Sequence, residues 1–513
     1  MSERPFTLPF DPTGIVLDRR QGLSRQLYHA LRLRVLDGRL SSGTRLPATR
    51  DMAQVLALSR NSVVRAYDQL YAEGYIESRV GDGTYVSHLP KLSTKVSTKV
   101  STGLSLGFST GLSTKTAENT EDSSSKVIHS GPMHRLENNH LPAPKSGPPR
   151  AFRVGLPAFD LFPLDVWAKL QAGFWRNPDP AALGYGDPAG EPQLRELIAT
   201  YLRRSRGLSC AAEQIVITSG AQQAISLCAQ LLLEPGEVVA VENPGYRAAG
   251  NAFALTGATV QGVAVDHEGL DCAALNAVEH CRLSYVTPSH QYPTGVTMSL
   301  ARRLELLAWA ERKDGWIIED DYDGEYRYSG DPLAPLAALD RSGRVLYVGT
   351  FGKIAFPALR LGYLVLPKQL VQAFSRCRAL AVRHSEVGTQ AVMAQFMAQG
   401  HFQRHIRRMR RAALSRRNAL KAGWPMDVPG VGAMPDVAAG LHVKVDIDSY
   451  AREQELIARA EAVGVELNAL SDYWLPDSTV PMDERAGLVL GFAAVGEAAI
   501  ADALARLRRA WRQ

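Results

Sequence analysis

The feature that most constrains this chain is a low-complexity stretch in its first third. Residues 92–115 read LSTKVSTKVSTGLSLGFSTGLSTK, a degenerate repeat of Ser, Thr, Gly and Lys, and polar, Pro-containing sequence follows it. Such a stretch buries too little apolar surface to offset its ordering entropy, so we interpret it as a flexible linker. Short strands, suggested by its Val and Leu positions, are the alternative. The predicted domains are residues 1–88 and 151–513, joined by a linker over 89–150.

The composition outside this stretch is that of a folded protein. Hydrophobic residues make up 45% of the chain, and the net charge of +6 does not by itself choose between acidic partners. Five scattered cysteines without a CxxC pair argue against a disulfide framework or a metal site. The N-terminus lacks the apolar core of a signal peptide, and no apolar run is long enough to cross a membrane. We therefore expect a cytoplasmic protein with no metal and no membrane partner.

The N-terminal region carries the pattern of three helices followed by a hairpin. Apolar residues at helical spacing predict a helix within residues 21–37, and a second one is predicted over residues 49–56. SRNSVVRAYDQLYAEG predicts a third helix that begins after Ser59 as N-cap. Two alternating strands around Gly81–Gly83 predict a tight hairpin. This order predicts a winged helix-turn-helix, whose last helix can enter a DNA major groove.

Residues 23–88 resemble the GntR-type winged helix, because LPATRDMAQVLALSRNSVVRAYDQLYAEGYIESRVGDGTYV matches that pattern nearly throughout. The resemblance implies double-stranded DNA as a partner. Residues 21–80 agree with this, since they hold nine Arg and no Lys against five Asp and Glu. In that family the Arg of the LPxxR segment, the start of the recognition helix and the wing glycine approach DNA. Carried over, the implied DNA-binding residues are Arg50, Ser59, Arg60, Asn61, Ser62 and Gly81.

The region after the linker alternates strand-like and helical runs. QIVITSG, EVVAVEN, LSYVTPS, GWIIEDDY, RVLYVGTF and LGYLVLP read as strands, and several are the continuous apolar runs typical of a buried parallel sheet. Helical stretches at residues 221–233 and 300–313 lie between them. From Met434 onward, LHVKVDI, GLVLGF and a closing helix from Glu497 predict a smaller α+β lobe. The pattern predicts a large α/β domain with a second lobe.

Chemically distinctive side chains follow the predicted strands. Lys353 comes just after RVLYVGTF, where a deprotonated amine can form an imine with an aldehyde cofactor. IIEDDYDGEY places the carboxylate of Asp320 and the phenol of Tyr322 at the end of a buried strand. A buried carboxylate requires a cationic partner, such as a protonated pyridine nitrogen. ENPGYRAAG places Tyr246 in a turn where its ring can stack on a flat heterocycle.

A second group of residues predicts a phosphate site. ITSGAQQAI puts Gly220, Ala221 and Gln222 between a strand and a helix N-terminus, where backbone N–H groups can hold an anion. Thr350 and Arg360 lie on either side of the lysine and can complete such a site. The two groups together predict a phosphorylated aldehyde cofactor.

The complete set resembles fold-type I enzymes that use pyridoxal 5′-phosphate (PLP), the aminotransferase class. Joined to the GntR-type winged helix, it is similar to the MocR/GabR regulators. The resemblance implies that Lys353 is the Schiff-base lysine, Asp320 the partner of the pyridine nitrogen and Tyr322 a contact to the phenolic oxygen. Tyr246 would be the stacking ring, and the 220–222 turn, Thr350 and Arg360 would surround the phosphate. The resemblance also implies a head-to-tail homodimer formed by the aminotransferase-like domains.

Three positions depart from the aminotransferase pattern. Gly352 directly precedes the lysine, at a position where these enzymes often have Ser. Because Gly is also small, cofactor binding is expected to survive this change. Tyr292 stands where working aminotransferases carry Asn, so His290 or Gln291 is expected to serve the phenolic oxygen instead. Residues 487–492, GLVLGF, lack the Arg that clamps a substrate α-carboxylate. Without this bidentate clamp, binding of ordinary amino acids is not expected.

The sequence thus predicts a PLP-dependent DNA-binding transcriptional regulator whose aminotransferase-like domain senses PLP or an amine effector, with at most a half-transamination. One alternative is an active PLP-dependent aminotransferase with an accessory DNA-binding domain. Another is a DNA-binding scaffold with a vestigial pocket. The missing Arg argues against the first alternative, and the complete PLP motifs argue against the second.

A basic run in the C-terminal third of the chain belongs to none of these motifs. Residues 401–420, HFQRHIRRMRRAALSRRNAL, contain seven arginines. As a helix, the run would place Ile406, Met409 and Leu414 on one side and guanidinium groups around the rest. A solvated face is the main interpretation, and a second DNA-contacting surface is the alternative.

Overall fold

The computed structural model divides the chain into two compact units, residues 1–122 and 123–513. The residues that it describes are 12, 14–19, 22–79, 82–87, 131–138, 146–328 and 334–512. Each unit has its own buried core and is described by itself.

The first unit is a winged helix, as predicted. It consists of α1 (Leu23–Leu36), α2 (Thr49–Val55), α3 (Arg60–Ala72), β1 (Ile76–Arg79) and β2 (Gly83–Val86). Ser59 caps α3, because its side-chain oxygen accepts the Ser62 N–H at 3.1 Å. The two strands pair antiparallel, with Ile76 opposite Val86. The helices bury a common apolar core that includes Leu27, Leu31, Met52, Val63 and Leu70.

The second unit contains an eight-stranded sheet. Its strands are β3 (Ile215–Thr218), β4 (Val238–Asn243), β5 (Thr259–Asp266), β6 (Gly269–Leu270), β7 (Cys281–Val286), β8 (Trp316–Asp320), β9 (Val345–Thr350) and β10 (Gly362–Val365). They are arranged in the order β3-β10-β9-β8-β7-β4-β5-β6. Neighbours from β5 through β9 run parallel, as predicted for buried apolar strands.

Two strands correct the expectation of a parallel sheet, and one of them, the two-residue β6, is antiparallel to β5. β10, which carries the LGYLVLP run, is antiparallel to both β3 and β9. Only residues 351–361 connect β9 to β10, and they include a short helical turn, Pro357–Leu359. A parallel crossover needs a dozen or more residues, usually a helix, so a connection this short reverses the chain. The sheet is therefore mixed.

Helices cover both faces of the sheet. Those of the second unit are α4 (Gly131–Asn138), α5 (Leu164–Arg176), α6 (Pro192–Arg206), α7 (Ala221–Leu232), α8 (Arg247–Leu255), α9 (Cys272–Ala277), α10 (Leu300–Arg312), α11 (Leu336–Leu339), α12 (Val371–Val382), α13 (Val387–Ala398), α14 (His401–Gly423), α15 (Tyr450–Ala462) and α16 (Glu497–Arg512). Successive residues of one strand serve the two faces, since Ile318 packs with α7, α8 and α12 whereas Ile317 packs with α9 and α10. This alternation is why the strands are apolar throughout.

The smaller α+β lobe is also confirmed. It has a three-stranded antiparallel sheet in the order β11 (His442–Asp446), β13 (Gly487–Gly491), β12 (Asn468–Ala469). The closing helix α16 begins at Glu497, as expected. Leu456, Leu488, Leu504 and Trp511 are fully or nearly fully buried in the core of this lobe.

The predicted linker is described only in part. Most of residues 89–150 lie outside the described residues, but residues 131–138 form the helix α4, which the sequence analysis did not predict. Arg135 donates from Nε to the Leu255 carbonyl at 3.0 Å, so α4 lies against α8. This contact supplies the partner that a short polar helix needs. The remaining bounds of the linker stay a prediction.

The basic run forms α14, a helix of 23 residues. Ile406 and Met409 are buried and Leu414 is half-buried, in agreement with the predicted apolar side. Across the part of the chain that the structure describes, no helix combines the length and the apolar character that crossing a membrane requires.

Candidate functional site

A cavity of about 250 Å³ opens beside the carboxyl ends of β3, β8 and β9. Ligands of open α/β sheets bind at this edge because the carboxyl ends of parallel strands meet there. The segment before α5 and the start of β11 close the cavity with Val154, Gly155, Leu441 and His442. Every residue predicted to hold the cofactor lines it: Lys353, Asp320, Tyr322, Tyr246, Gly220, Ala221, Gln222, Thr350 and Arg360.

Lys353 is buried and its ammonium is destabilised there. Burial lowers the pKa of Lys353, and the negative charges of Asp323 and Asp320 only partly oppose this. Nζ donates to the Gly155 carbonyl at 2.8 Å. A Cβ at Gly155 would lie 2.8 Å from the same Nζ, and the backbone there has φ +80°, so a glycine is needed. The contact with Gly155 fixes the position of the amine, and the lowered pKa makes its neutral, nucleophilic form easier to reach than for an exposed lysine.

Asp320 is the buried carboxylate of the site. One oxygen, Oδ2, accepts the Tyr285 hydroxyl at 2.7 Å, whereas Oδ1 is buried without a hydrogen-bond partner among the described residues. Burial raises the pKa of Asp320 to about 7, although the Tyr285 bond acts in the opposite direction. An unmatched buried carboxylate oxygen is costly unless a donor or cation reaches it. A protonated pyridine nitrogen is such a partner, so the residues present fit PLP.

Tyr322 is held by a buried histidine and carboxylate. Its hydroxyl donates to the His290 carbonyl at 2.8 Å and lies 3.2 Å from His290 Nδ1. Nδ1 also lies 3.0 Å from Asp323 Oδ2, which accepts the Leu441 N–H at 3.2 Å. Asp323 therefore links the phenol of the large domain to the backbone of the smaller lobe. Sequence reasoning missed it, although its place three residues after Asp320 was a signal.

The substitutes expected for the missing Asn do not line the cavity. His290 turns toward Asp323, as described above. The Gln291 amide donates to the Pro244 carbonyl at 2.9 Å and to Glu242 at 3.2 Å. Both side chains are therefore used inside the protein, and the expectation that one of them serves the phenolic oxygen directly is wrong. Tyr292 itself lines the cavity.

The phosphate end is built from the start of α7 and from Arg360. Gly220 precedes the helix with φ +92°, so the first N–H groups of α7 face the cavity edge where an anion is favoured. Arg360 donates from Nη2 to the Ser219 carbonyl at 2.5 Å, which fixes its guanidinium beside this turn. A Cβ at Gly362 would lie 2.9 Å from the Gly220 Cα, so the two backbones meet only through glycines.

Gln222 and Tyr246 form the remaining side of this end. Gln222 donates from Nε2 to the Ala248 carbonyl at 3.0 Å and accepts the Tyr246 hydroxyl at 3.2 Å. The side chain of Gln222 thus orients the tyrosine ring and leaves its backbone for an anion. The Tyr246 ring is 36% exposed, so one face is available for stacking. Thr350 accepts the Gly352 N–H at 3.1 Å, and the small residue at 352 is accommodated as expected.

No carboxylate clamp is found among the described residues of the cavity. β13 carries the GLVLG sequence and is buried along its whole length. Arg360 is the guanidinium that lines the described cavity, and it belongs to the phosphate end. The structure therefore gives an α-carboxylate no bidentate partner on the side of the lysine.

His290, Asp323 and His442 bring nitrogen and oxygen atoms within 4.8 Å of one another. One nitrogen of each histidine is engaged in a hydrogen bond, since His442 Nε2 lies 3.1 Å from the Pro293 carbonyl and His290 Nδ1 lies 3.0 Å from Asp323 Oδ2. A nitrogen that donates its proton has no lone pair for a metal. The cluster fits a hydrogen-bond network better than a metal site.

The candidate DNA surface lies on the first unit. Most of the predicted residues there are exposed, namely Arg50, Ser59, Arg60 and Asn61, while Ser62 is half-buried and Gly81 lies outside the described residues. Ser62 bonds to the capping Ser59, whose hydroxyl oxygen lies 2.8 Å from its own. Sequence reasoning missed Arg45, whose guanidinium lies against Gly83 of the hairpin. An isolated antiparallel β-bridge joins Arg45 to Tyr85 on the hairpin and sets the position of Arg45. This pairing could not be predicted from the sequence alone.

Comparisons with known proteins agree with this division. Residues 23–86 match the family of bacterial regulatory proteins, gntR family, and residues 153–449 match aminotransferase class I and II. The probable rhizopine catabolism regulatory protein MocR of Rhizobium meliloti is 34% identical over 97% of this chain and 96% of its own. The HTH-type pyridoxine biosynthesis transcriptional regulator PdxR of Corynebacterium glutamicum is 30% identical over 92% of each.

Among solved structures, kynurenine aminotransferase of Pyrococcus horikoshii, in complex with PMP, is similar with a TM-score of 0.64. It is 27% identical, and the match covers 75% of this chain and 95% of that one. The second unit therefore has the fold of PLP-dependent aminotransferases.

We predict that Asp320→Asn stabilises the cofactor-free protein at pH 8 and weakens its binding of PLP. The wild-type carboxyl is protonated in the folded chain up to about pH 7 but has an ordinary pKa of 3.8. Its contribution to stability therefore falls as pH rises through this window, whereas Asn has no proton to lose. The expected gain at pH 8 is on the order of 1–4 kcal/mol and shrinks toward pH 4.

Urea unfolding followed by tryptophan fluorescence measures this gain, because all seven Trp residues lie beyond residue 150. Asp477→Asn, at an exposed loop position, is the control and should change neither stability nor PLP affinity. A stability difference for Asp320→Asn that is the same at pH 5 and pH 8 would contradict the assignment.

Proposed function

This chain belongs to the MocR-type transcriptional regulators, in which a gntR-family winged helix is joined to a domain of aminotransferase class I and II. We propose that it regulates transcription in response to a small molecule bound in the aminotransferase-like cavity. The observation that carries the proposal is the convergence of the PLP-binding set on one cavity that has no carboxylate clamp among its described residues. The first property suits a PLP-binding domain, and the second suits a sensor better than a dedicated aminotransferase.

We propose that PLP is the cofactor. When bound, PLP supplies an aldehyde that reacts with amines. Lys353 offers a buried amine of lowered pKa to that aldehyde, and Asp320 offers its unmatched oxygen to the pyridine N–H. Tyr322 offers a hydroxyl that is held in place by His290 and Asp323.

The other residues of the cavity bind and orient the cofactor. Tyr246 covers one face of the ring while its hydroxyl is held by Gln222. The N–H groups after Gly220, at Ala221 and Gln222, together with Thr350 and Arg360, hold the phosphate. The fixed lysine, carboxylate and anion site define one orientation of an asymmetric ring.

We propose that the first unit binds double-stranded DNA through α3 and the hairpin. Arg60 and Asn61 lie in the first turn of α3, where side chains that read a major groove are found. Arg50, Ser59 and Ser62 lie beside that turn, and Gly81 completes the set as the wing glycine. The DNA-binding domain comprises residues 1–88 and the effector domain residues 151–513, joined by the 89–150 linker. Two chains pair head to tail through the effector domains, so that each dimer presents two DNA-binding modules.

The second candidate function is transamination. The aminotransferase-like fold leaves this chemistry open, whereas similar proteins that align over nearly the whole chain are transcriptional regulators. A half-reaction requires only an amine that reaches the cofactor, whereas turnover requires a held carboxylate and a second substrate at the same site. The absence of a clamp in the described cavity favours the sensor.

The cofactor proposal predicts that Lys353 becomes covalently attached to PLP. Borohydride reduction of the PLP-loaded wild type should add the cofactor mass to the peptide that contains Lys353, and Lys353→Ala should not be modified. Lys313→Ala, at the exposed end of α10, is the control and should behave as wild type. Wild-type protein that gives no reduced adduct would rule out the cofactor.

The DNA proposal predicts a specific role for Arg60. With a duplex selected from random sequences, Arg60→Ala should weaken binding by about 1–3 kcal/mol if the side chain reads a base. Arg25→Ala, at an exposed position on α1, is the control and should bind nearly as wild type. Fluorescence anisotropy on the selected and on a random duplex separates two roles, since an equal loss on both would place Arg60 on phosphate.

The sensor proposal predicts little or no steady-state transamination with common amino acids and 2-oxo acids. A misplaced substrate loses about a hundredfold in rate. Coupled assays over a panel of donor and acceptor pairs provide the measurement. A rate of roughly 1 s⁻¹ or more on any pair, typical of dedicated enzymes, would favour the aminotransferase.

A further inference from the structure

The positive charge of the described cavity is confined to two places. Arg360 lies at the phosphate end, where it donates to the Ser219 carbonyl beside Gly220. Lys353 lies at the other side, where its Nζ contacts the Gly155 carbonyl. A cofactor phosphate at the first place and its aldehyde at the second would engage both cations. Any further ligand must then be recognised by the residues around Lys353 that remain.

Those residues offer no formal charge. Val154, Gly155 and Leu441 are apolar, and Tyr292 and His442 complete the lining on this side. Burial, together with the nearby His290 and Lys353, lowers the pKa of His442 well below its ordinary value. Because Nε2 donates to the Pro293 carbonyl, the neutral ring keeps a lone pair on Nδ1. In this neutral form His442 can accept a hydrogen bond on Nδ1 but offers a carboxylate no positive charge.

Two buried arginines nearby are engaged elsewhere. Arg153, just before this part of the lining, donates to Glu466 at 2.8 Å and to two backbone carbonyls. Arg206 is bonded to the buried carboxylate of Asp321. Moving Arg206 into the cavity would take the cation away from the buried carboxylate of Asp321, which is strongly unfavourable, and moving Arg153 would break its ion pair with Glu466. Neither can replace the missing clamp.

Tyr292, Tyr322 and His442 form what we term the aromatic wall. The Tyr292 ring lies 5.8 Å from that of Tyr322 and 5.3 Å from that of His442, in both cases edge to face. The Tyr292 hydroxyl is directed to Tyr473 at 3.3 Å, so the ring itself is what this residue contributes to the cavity. Aromatic surfaces of this kind bind apolar groups and organic cations but do not attract anions.

We propose that the effector of this protein is a primary amine that carries no carboxylate or other anionic group and whose remaining atoms pack against the aromatic wall. The inference rests on the proposed function and specifies the ligand of the same site. A carboxylate placed there would lose its water without gaining a partner. An amine can exchange with Lys353 at the cofactor carbon. With the cofactor bound to Lys353 as an imine, a carbon–nitrogen double bond to the amine would form as the one to the lysine breaks, two protons would pass from the amine nitrogen to the lysine nitrogen, and no oxidant would be required.

The test uses the full chain loaded with PLP and two matched ligand pairs, phenethylamine with phenylalanine and tyramine with tyrosine. Each pair differs only by the α-carboxylate. The change in the absorbance band of the bound cofactor gives the half-saturating concentration of each compound. The amine of each pair should saturate at a concentration at least about tenfold lower than its amino acid, as for an ion left unpaired in a buried site.

Tyr292→Ala should raise the half-saturating concentration of both amines about tenfold while borohydride still traps the cofactor, which shows that the variant is folded. Tyr185→Ala, whose ring is 89% exposed and does not line the cavity, is the matched control and should respond as wild type. Loss of the cofactor band from the wild type would overturn the proposed function together with this inference. A cofactor band that responds to either amino acid at an equal or lower concentration, or to none of the four compounds at millimolar concentration, would overturn this inference alone.

Discussion

The unmatched oxygen of Asp320 is the constraint on which the cavity of the second unit depends. The carboxyl sits at the end of a strand that is buried on both faces, and Tyr285 satisfies only one of its oxygens. Lys353 is buried close by, and the protein lowers its pKa while it raises that of Asp320. Burial thus shifts both groups toward their less charged forms. A ligand that binds only the folded chain raises the free energy of unfolding, so binding in the cavity and folding of the domain are coupled.

Sequence reasoning succeeded where function follows a local pattern. Ser59 was predicted as an N-cap from the residues around it, and its side chain caps α3. Residues such as Asp320 and Lys353 were placed at strand ends, and parallel strands bring their ends to one edge without any knowledge of the rest of the fold. The roles of these residues toward PLP and DNA stay predictions, but their convergence on one cavity is observed.

What could not be predicted depends on contacts between distant segments. His290 and Asp323 come from two loops and His442 from β11, and no periodicity links a histidine on β11 to one more than a hundred residues earlier. The sequence suggested that His290 or Gln291 faces the cofactor, but whether a turn residue points in or out depends on partners such as Pro244 and Asp323. The reversed direction of β10 has the same origin, because apolar runs look alike in both directions.

The contact between Lys353 and Gly155 has a mechanical consequence. Gly155 lies just after the predicted linker, and a neighbouring carbonyl, that of Phe152, accepts the Gly491 N–H of the smaller lobe at 3.0 Å. The same few residues are thus tethered both to the lysine and to β13. A lysine whose nitrogen is engaged with another group no longer donates to Gly155, and this segment then loses its hydrogen bond to the lysine while its contacts with the smaller lobe remain. Binding of a ligand to Lys353 would in this way loosen the backbone around Gly155.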